Sequence, residues 1–268
     1  MDPERPVQRF FSPVLYARRM AFAFDVAAAG ADLSPASPPA RVVDGELRRD
    51  LLILAAALAA LIAWDLLGLD LPISRLFGDA AGFRWRDQWF FSDVLHSGAR
   101  YLAWALALVL AVGIRWPLPF ARGLSRADRI AWVAVTAAGA LLIPLLKLAS
   151  LTSCPWSLAE FGGTALHVSH WALGQADGGP GRCFPAGHAT AAFCFLPGWR
   201  VLRETAPVAA RRWLVGTLLA GAVLTMVQVA RGAHYVSHSL WTGWCCAVLG
   251  VTAVHAIRAW RNLRGAKA

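Results

Sequence analysis

The sequence has 268 residues, of which 57% are hydrophobic and 16% are charged, and its mean hydropathy is +0.50. Soluble domains carry about 25% charged residues, so the composition argues against a soluble protein and indicates a membrane protein. The net charge is +10. The basic residues lie between long apolar stretches instead of clustering with aromatic residues on one polar domain, which argues against a nucleic-acid-binding protein.

The first 49 residues contain seven arginines and a Pro/Ser/Ala-rich patch at 34–40, and they precede the first apolar stretch. They carry no convincing cleavage site of the signal-peptide type. This segment is predicted to be a cytoplasmic, partly disordered tail. Its part from Phe10 to Phe24 could lie on the membrane surface as an amphipathic segment.

Six apolar stretches approach the roughly 20 residues that a helix needs to cross a bilayer. Pro197 implies a kink or an early end in the short fourth stretch. The pattern predicts an all-α, polytopic membrane protein with a six-helix domain over 50–257 and a basic cytoplasmic tail over 258–268. The predicted spans are 50–69, 94–114, 129–147, 187–202, 212–230 and 236–257.

Most of the Lys and Arg residues fall on one side of this six-helix arrangement: in the first tail, after the second span, after the fourth span and at the C-terminus. The positive-inside rule therefore places both termini in the cytoplasm. The connections 70–93, 148–186 and 231–235 then face the opposite side. The second of these is long enough to suggest a functional loop.

Three segments with chemically useful side chains meet on that opposite face. Lys147 ends the third span, the turn Pro185 to His188 opens the fourth, and Arg231 to His238 opens the sixth. Ionisable residues at membrane depth are costly and need a physical reason. A bound phosphate would supply one, because Lys147 and Arg231 could hold its oxygens and the backbone N–H groups around Ala186 and Gly187 could donate to it.

The order and spacing of these segments resemble the type 2 phosphatidic acid phosphatase superfamily of membrane phosphatases, over roughly 147–240. That family has Lys-x6-Arg-Pro, then Pro-Ser-Gly-His, then Ser-Arg-x5-His-x3-Asp. Here Lys147-x6-Cys154-Pro155 is similar to the first block and Pro185-Ala186-Gly187-His188 to the second. In the third block Gln228, His234 and His238 take the Arg, His and Asp positions.

The resemblance implies an enzyme with a six-helix bundle, a phosphatase that needs no cofactor and no metal. His234 would attack phosphorus to form a phosphohistidine, His188 would protonate the leaving oxygen, and water would release phosphate. The implied substrate is a membrane-lipid phosphate or diphosphate: a phospholipid, a polyprenyl diphosphate or a lipid A phosphate. The implied setting is the periplasmic face of a bacterial-type inner membrane.

The departures from the family pattern concern charge. Ala186 lacks a hydroxyl, and Cys154 and Gln228 stand where two arginines are expected. Arg231, or else Arg182, could return a guanidinium to the pocket. A neutral His238 can orient His234 but cannot supply the negative charge of an aspartate. Asp177 or Glu160 of the long loop is therefore a candidate for the missing carboxylate.

The five cysteines make no zinc-binding spacing. Because the family fold brings the first two blocks together, the resemblance implies a disulfide between Cys154 and Cys183. We expect His167 and His170 to be solvated loop residues, with a zinc site as the alternative, and His255 to be structural. His96 and Arg100 are expected to serve in packing or interfacial anchoring, with the rim of the site as the alternative.

Two other functions stay open at this point. A phosphotransferase on the same scaffold would pass the phosphate to a second lipid instead of water. A non-catalytic lipid-binding or transport protein would explain the missing arginines and aspartate. The sequence does not choose the lipid or the oligomeric state.

Overall fold

A computed structural model describes residues 40–265, with side chains described for 45–263. The residues from Asp44 onward form one compact unit. Most of the predicted N-terminal tail, including the stretch from Phe10 to Phe24, lies outside the described residues, as do the last three residues of the C-terminal tail.

The described chain is helical apart from loops and a short β-hairpin whose two strands have two residues each. A π-helix, Phe90–Ser97, runs directly into α3, and short 3-10 helices occupy Pro119–Ala121, Pro155–Ser157 and Ala159–Phe161. The hairpin pairs β1, Gly78–Asp79, with β2, Gly82–Phe83. The α-helices are α1 (Ala40–Leu66), α2 (Asp70–Ser74), α3 (Gly98–Val112), α4 (Arg126–Leu148), α5 (Thr190–Phe193), α6 (Pro197–Leu202), α7 (Pro207–Ala230) and α8 (Val236–Gly265).

Four helices of the described chain are long and apolar enough to cross a membrane. The prediction of a mostly helical protein with membrane-length helices is confirmed to that extent. The four stretches are Phe90–Val112, Arg126–Leu148, Pro207–Ala230 and Val236–Leu263. Helix α1 is not among them; it begins ten residues before the predicted first span and carries Asp50 and Asp65 near the two ends of its apolar part.

The predicted fourth span, 187–202, is wrong as a continuous helix. The structure has two short helices there, α5 and α6, separated by a turn. Pro197 has no N–H to continue the ladder of helix α5, and it begins α6 instead. Because the two pieces together are shorter than a bilayer-crossing helix, the six-span arrangement stays a proposal.

The broken segment lies inside the bundle, between α4, α7 and α8. Ile143 of α4, Ala189, Phe193 and Cys246 of α8 belong to one buried apolar cluster. Gly221 lets α7 come so close that a Cβ there would overlap the Phe193 ring. Close packing of small residues against this segment fixes the turn that precedes it, where Pro185 to His188 lie.

A cluster of charged side chains joins α1, α6 and α8 at the other end of the bundle. Arg200 is 1% exposed, and its Nε donates to Oδ2 of Asp50 at 2.7 Å. Arg203 bonds the other oxygen of Asp50 at 3.0 Å. Nε2 of His255 lies 3.0 Å from Oδ2 of Asp50, as expected for a structural histidine.

Candidate active site

The three sequence blocks meet at one end of the bundle. Lys147 lies in the last turn of α4, and a Cβ at Gly187 would be 3.7 Å from its Nζ. The turn of the second block is bonded to the start of α8, because Ala186 N–H donates to the His238 carbonyl at 3.0 Å. The hydroxyl of Thr242 donates to the Ala186 carbonyl at 2.9 Å. The cation, the turn and the third block are therefore parts of one site.

Two of the predicted site histidines are buried, His234 at 2% and His238 at 1% exposure, and His188 is half-buried. The ring centroids of His188 and His234 are 5.8 Å apart, and those of His234 and His238 are 6.0 Å apart. Nδ1 of His238 donates to the Cys183 carbonyl at 3.1 Å. The three rings thus form a row, in which His234 lies between the other two.

His96 joins this row at its outer end, where packing or interfacial anchoring was the expectation. Its ring centroid is 3.9 Å from that of His188, and the Nε2 atoms of the two rings are in hydrogen-bond contact. It lies in the π-helix Phe90–Ser97, a type of helix that often marks functional sites. The sequence signal was its spacing of four from Arg100, which places both residues on one helix face.

The row opens into a cavity of ≈ 590 Å³ between α3 and α4, called here the site cavity. Its polar end contains two cations, two histidines and two uncharged polar residues. Gln228 and Thr190 are buried, and their side-chain amide and hydroxyl have no partner among the described residues. The polar lining residues are His96, Arg100, Thr136, Lys147, His188, Thr190 and Gln228, with Thr136 further along α4; the apolar ones include Ala103, Trp104, Ala107, Leu110, Val133 and Leu141.

The electrostatics of the site favour an anion. Burial lowers the pKa of His188 to about 3, and the positive charges of Lys147, Arg231 and Arg100 add to that effect. Burial also holds the pKa of His234 well below its usual range. Both rings are neutral in the free site at pH 7, and no carboxylate is among the described residues that line the site cavity.

The two candidate arginines differ in their placement. Arg231 is 9% exposed, and its Nε donates to the Arg86 carbonyl at 2.9 Å, which fixes its guanidinium beside the site. Arg182 is exposed, and its backbone has a left-handed φ of 56°. Arg231 therefore fits the expected role, whereas the structure does not bring Arg182 together with the histidines.

Neither candidate carboxylate of the long loop reaches His234, so that expectation is wrong. Asp177 accepts from the Ser153 hydroxyl at 2.8 Å, and Glu160 forms an exposed ion pair with Arg75. Asp177 thus bonds within the long loop, and Glu160 joins the loop to Arg75 at the surface. The sequence could not indicate these partners.

The expectation that His170 is a solvated loop residue is also wrong. Its side chain is 8% exposed, and its Nε2 lies 3.2 Å from Oδ2 of Asp65 in α1. Its ring stacks on Phe184 at 4.3 Å, one residue before the turn of the second block. His167 is exposed and lies against the Tyr235 ring.

Cys154 and Cys183 form a disulfide with a Cα–Cα distance of 5.2 Å. Nδ1 of His234 lies 3.4 Å from Sγ of Cys183. These three residues also form a group whose potential metal-ligand atoms lie within 4.8 Å of one another. In the disulfide neither sulfur is a thiolate, and the thiolate is the form that binds metal.

Comparison with known proteins yields one distant similarity. No family model matches the chain, and no curated protein matches it significantly. One solved structure is similar: the crystal structure of the first transmembrane PAP2 type phosphatidylglycerolphosphate phosphatase from Bacillus subtilis. It is 17% identical, the match covers 77% of this chain and 93% of that chain, and the TM-score is 0.45. The residues of the site itself therefore have to carry the functional assignment.

Proposed function

We propose that the chain is an integral membrane phosphatase that hydrolyses a phosphomonoester or diphosphate on a membrane lipid, with neither a metal nor a cofactor. The observation that carries this proposal is the placement of His188 with Lys147 at the polar end of an otherwise apolar cavity, with the buried His234 ring next to His188. A lipid phosphate complements this cavity, because its anionic head matches the cationic end and its apolar tail matches the apolar lining.

His234 is the proposed nucleophile. Its Nδ1 lies against the Cys183 sulfur, so Nε2 is the nitrogen left to attack phosphorus. A P–N bond forms as the P–O bond to the lipid breaks, and the leaving oxygen takes a proton. Lys147, Arg231 and the amide of Gln228 hold the phosphoryl oxygens during this step.

His188 is the proposed general acid and base. Burial and the surrounding cations keep its pKa low in the free site. A bound phosphate adds negative charge beside the ring and favours the imidazolium form, so substrate binding charges the acid. His188 gives its proton to the leaving oxygen, then takes a proton from the water that breaks the P–N bond. His96, in contact with His188, orients this ring.

The topology of the proposal follows the distribution of basic residues. Both termini are cytoplasmic, and the site faces the periplasm of a bacterial-type inner membrane. The broken segment with α5 and α6 would be held inside the bundle by α4, α7 and α8. Phospholipid, polyprenyl and lipid A phosphates all fit a cationic pocket that opens into an apolar groove.

The test is phosphate release from purified, detergent-solubilised protein with a panel of lipid phosphates, in the presence and absence of a chelator. We expect release that resists the chelator, and we expect His188→Ala and His234→Ala each to abolish it. A radiolabelled, acid-labile phosphoenzyme should form in the wild type and not in the His234 variant. Retained activity in His234→Ala would refute this mechanism.

The same assay separates the two alternatives. A phosphotransferase would produce a labelled second lipid from labelled donor in mixed vesicles. A non-catalytic binding or transport protein would retain the donor without releasing phosphate or forming a phosphoenzyme.

A further inference from the structure

The row of imidazoles continues past the site, away from the site cavity. The ring centroids of His238 and His170 are 5.7 Å apart, and His170 in turn contacts Asp65. Four histidines thus connect the site cavity to a single buried carboxylate, in the order His188, His234, His238 and His170. The row ends at Asp65 on α1, a helix that contributes none of the three sequence blocks.

Behind His238 is a second, much smaller cavity, called here the chamber. Its volume is ≈ 100 Å³, and its lining includes Asp65, Asp70, His167, His170, Tyr235 and His238. A cavity needs about 10–15 Å³ of this space to hold one water molecule. The chamber is therefore large enough for ordered water.

Three buried polar atoms of the chamber residues lack a hydrogen-bond partner among the described residues. They are Oδ1 of Asp65, the hydroxyl of Tyr235 and Nε2 of His238. Tyr235 and His238 are 3% and 1% exposed, and the Asp65 side chain is 5% exposed. Leaving such a buried group without a partner is destabilising, so each of the three requires a donor or an acceptor in the chamber.

The state of His238 follows from its other nitrogen. A carbonyl oxygen can only accept, so Nδ1 carries the proton that bonds Cys183. In the neutral ring Nε2 is then an acceptor. Oδ1 of Asp65 is also an acceptor, so of the three atoms only the Tyr235 hydroxyl has a proton to offer. Water supplies two donors per molecule, which matches a set of two acceptors and one hydroxyl.

The other oxygen of Asp65 is fully used. Oδ2 accepts from Nε2 of His170 at 3.2 Å, from Nε1 of Trp171 at 3.0 Å and from Nε1 of Trp241 at 2.9 Å. Three donors on one oxygen fix the orientation of the carboxylate, so that Oδ1 is the oxygen left for the chamber. Burial lowers the pKa of His170, so this ring is a neutral donor in the contact.

We propose that the chamber holds ordered water that joins the Asp65 carboxylate to Nε2 of His238, and that Asp65 is the anionic positioning residue of the histidine site. The inference rests on the proposed function. A phosphohistidine carries a positive charge on its ring, and a carboxylate at the end of the row stabilises that charge. Asp65 thus supplies, from α1, the charge that His238 cannot supply from α8.

The test uses three variants in full-length, solubilised protein. Asp65→Asn removes the charge and keeps the size. Tyr235→Phe removes one chamber hydroxyl and keeps the ring. Trp171→Phe is the matched control, since it removes one donor to Asp65 but leaves the charge and the chamber lining unchanged.

We expect Asp65→Asn to lower kcat by about 10- to 100-fold with little change in KM, in line with the loss of one preorganised electrostatic group. Trp171→Phe should stay within about twofold of the wild type, since an interaction that leaves the charge in place contributes little to kcat. The kcat–pH profile from pH 5 to 8 should change in Asp65→Asn alone. The titratable groups that bear on this profile are Asp65, Asp70, His167, His170, Tyr235, His238, His234 and Lys147.

A second readout does not depend on activity. With ¹⁵N-labelled histidine, the Nε2 resonance of His238, assigned by its loss in His238→Gln, should shift in Asp65→Asn and Tyr235→Phe and not in Trp171→Phe. An unchanged resonance and an unchanged kcat in Asp65→Asn would overturn the proposal. If Asp65→Asn does not fold, the His238 resonance in Tyr235→Phe decides: a shift supports the proposal, and an unchanged resonance overturns it.

Failure of the proposed function would look different. If the wild type releases no phosphate from any lipid phosphate, the phosphatase assignment falls, while the His238 resonance still reports whether Asp65 and the chamber are coupled to it. A different result would be an inactive His234→Ala variant together with a fully active Asp65→Asn variant whose His238 resonance is unchanged. The phosphatase assignment would then stand, and the role of Asp65 would be limited to its hydrogen bonds with Trp171 and Trp241.

Discussion

Individual side chains at the site combine positive charge with neutral, buried imidazoles. Lys147 approaches the turn at Gly187, and Arg231 is held beside it by the Arg86 carbonyl. No carboxylate is among the described residues that line the site cavity. In the proposed function, such a pocket would bind a dianion and leave the histidines free to change protonation state during the reaction.

At the residue scale, we predict that Lys147→Met lowers kcat/KM for a lipid phosphate by about 100-fold or more, because it removes a preorganised positive charge and keeps the length of the side chain. The control is Arg212→Met, which removes a cation from the large apolar cavity of ≈ 1070 Å³ beside α7. Steady-state phosphate release measures both. Equal losses in the two variants would indicate a general effect of net charge instead of a phosphate contact.

At the scale of elements, the site depends on a chain segment that does not form a full helix. The short helices α5 and α6 place their preceding turn inside the bundle, where Ala186 bonds to the start of α8. The disulfide between Cys154 and Cys183 ties the long loop to the same turn. Small residues on the surrounding helices make room for this segment.

Two glycines of α7 test this packing. At Gly221 a Cβ would overlap the Phe193 ring, whereas at Gly216 it would meet nothing within 4 Å. We predict that Gly221→Ala destabilises the protein by about 1–3 kcal/mol through overpacking. Gly216→Ala should instead be neutral or stabilising by about 0.5–1 kcal/mol, since alanine is the better helix former.

Thermal unfolding of the purified variants in one detergent provides the measurement. Equal stability of the two alanine variants would contradict the close approach of α7 to the broken segment.

At the scale of the whole molecule, the two ends of the bundle use charge in different ways. At the site end, no carboxylate is among the described residues that line the site cavity with Lys147 and Arg100. The opposite end pairs its charges inside the protein, where Arg200 bonds to Asp50 and Glu46. This pairing joins α1, α6 and α8 at the point where α6 leaves the bundle interior.

We predict that Arg200→Ala destabilises the protein by about 3–5 kcal/mol, because it leaves Asp50 buried with part of its charge unpaired. The control is Arg261→Ala, which breaks an ion pair with the partly exposed Asp128 and should cost at most about 1 kcal/mol. Chemical denaturation followed by tryptophan fluorescence compares them. A small loss in Arg200→Ala would show that Arg203 and His255 hold Asp50 without it.

Much of this architecture could be predicted from hydropathy and spacing alone. Long apolar stretches have no alternative to helix in a membrane, because their backbone groups must bond internally. The order of the predicted spans also placed the blocks containing Lys147, His188 and His234 on one face. Local sequence also marked the break at Pro197, although not that the segment would be two separate helices.

Only the tertiary structure decided which side chains complete the site. His96, His170 and Asp65 lie 92, 18 and 123 residues from His188 along the chain, and their contacts depend on how α1, the π-helix and the long loop pack together. By sequence, Asp177 and Glu160 were equally good candidates for the missing carboxylate. Hydrogen bonds to Ser153 and Arg75 hold them away from His234. Hydropathy determines which segments are helical, whereas the partner of a polar side chain is set by three-dimensional packing, which a pattern in one chain does not encode.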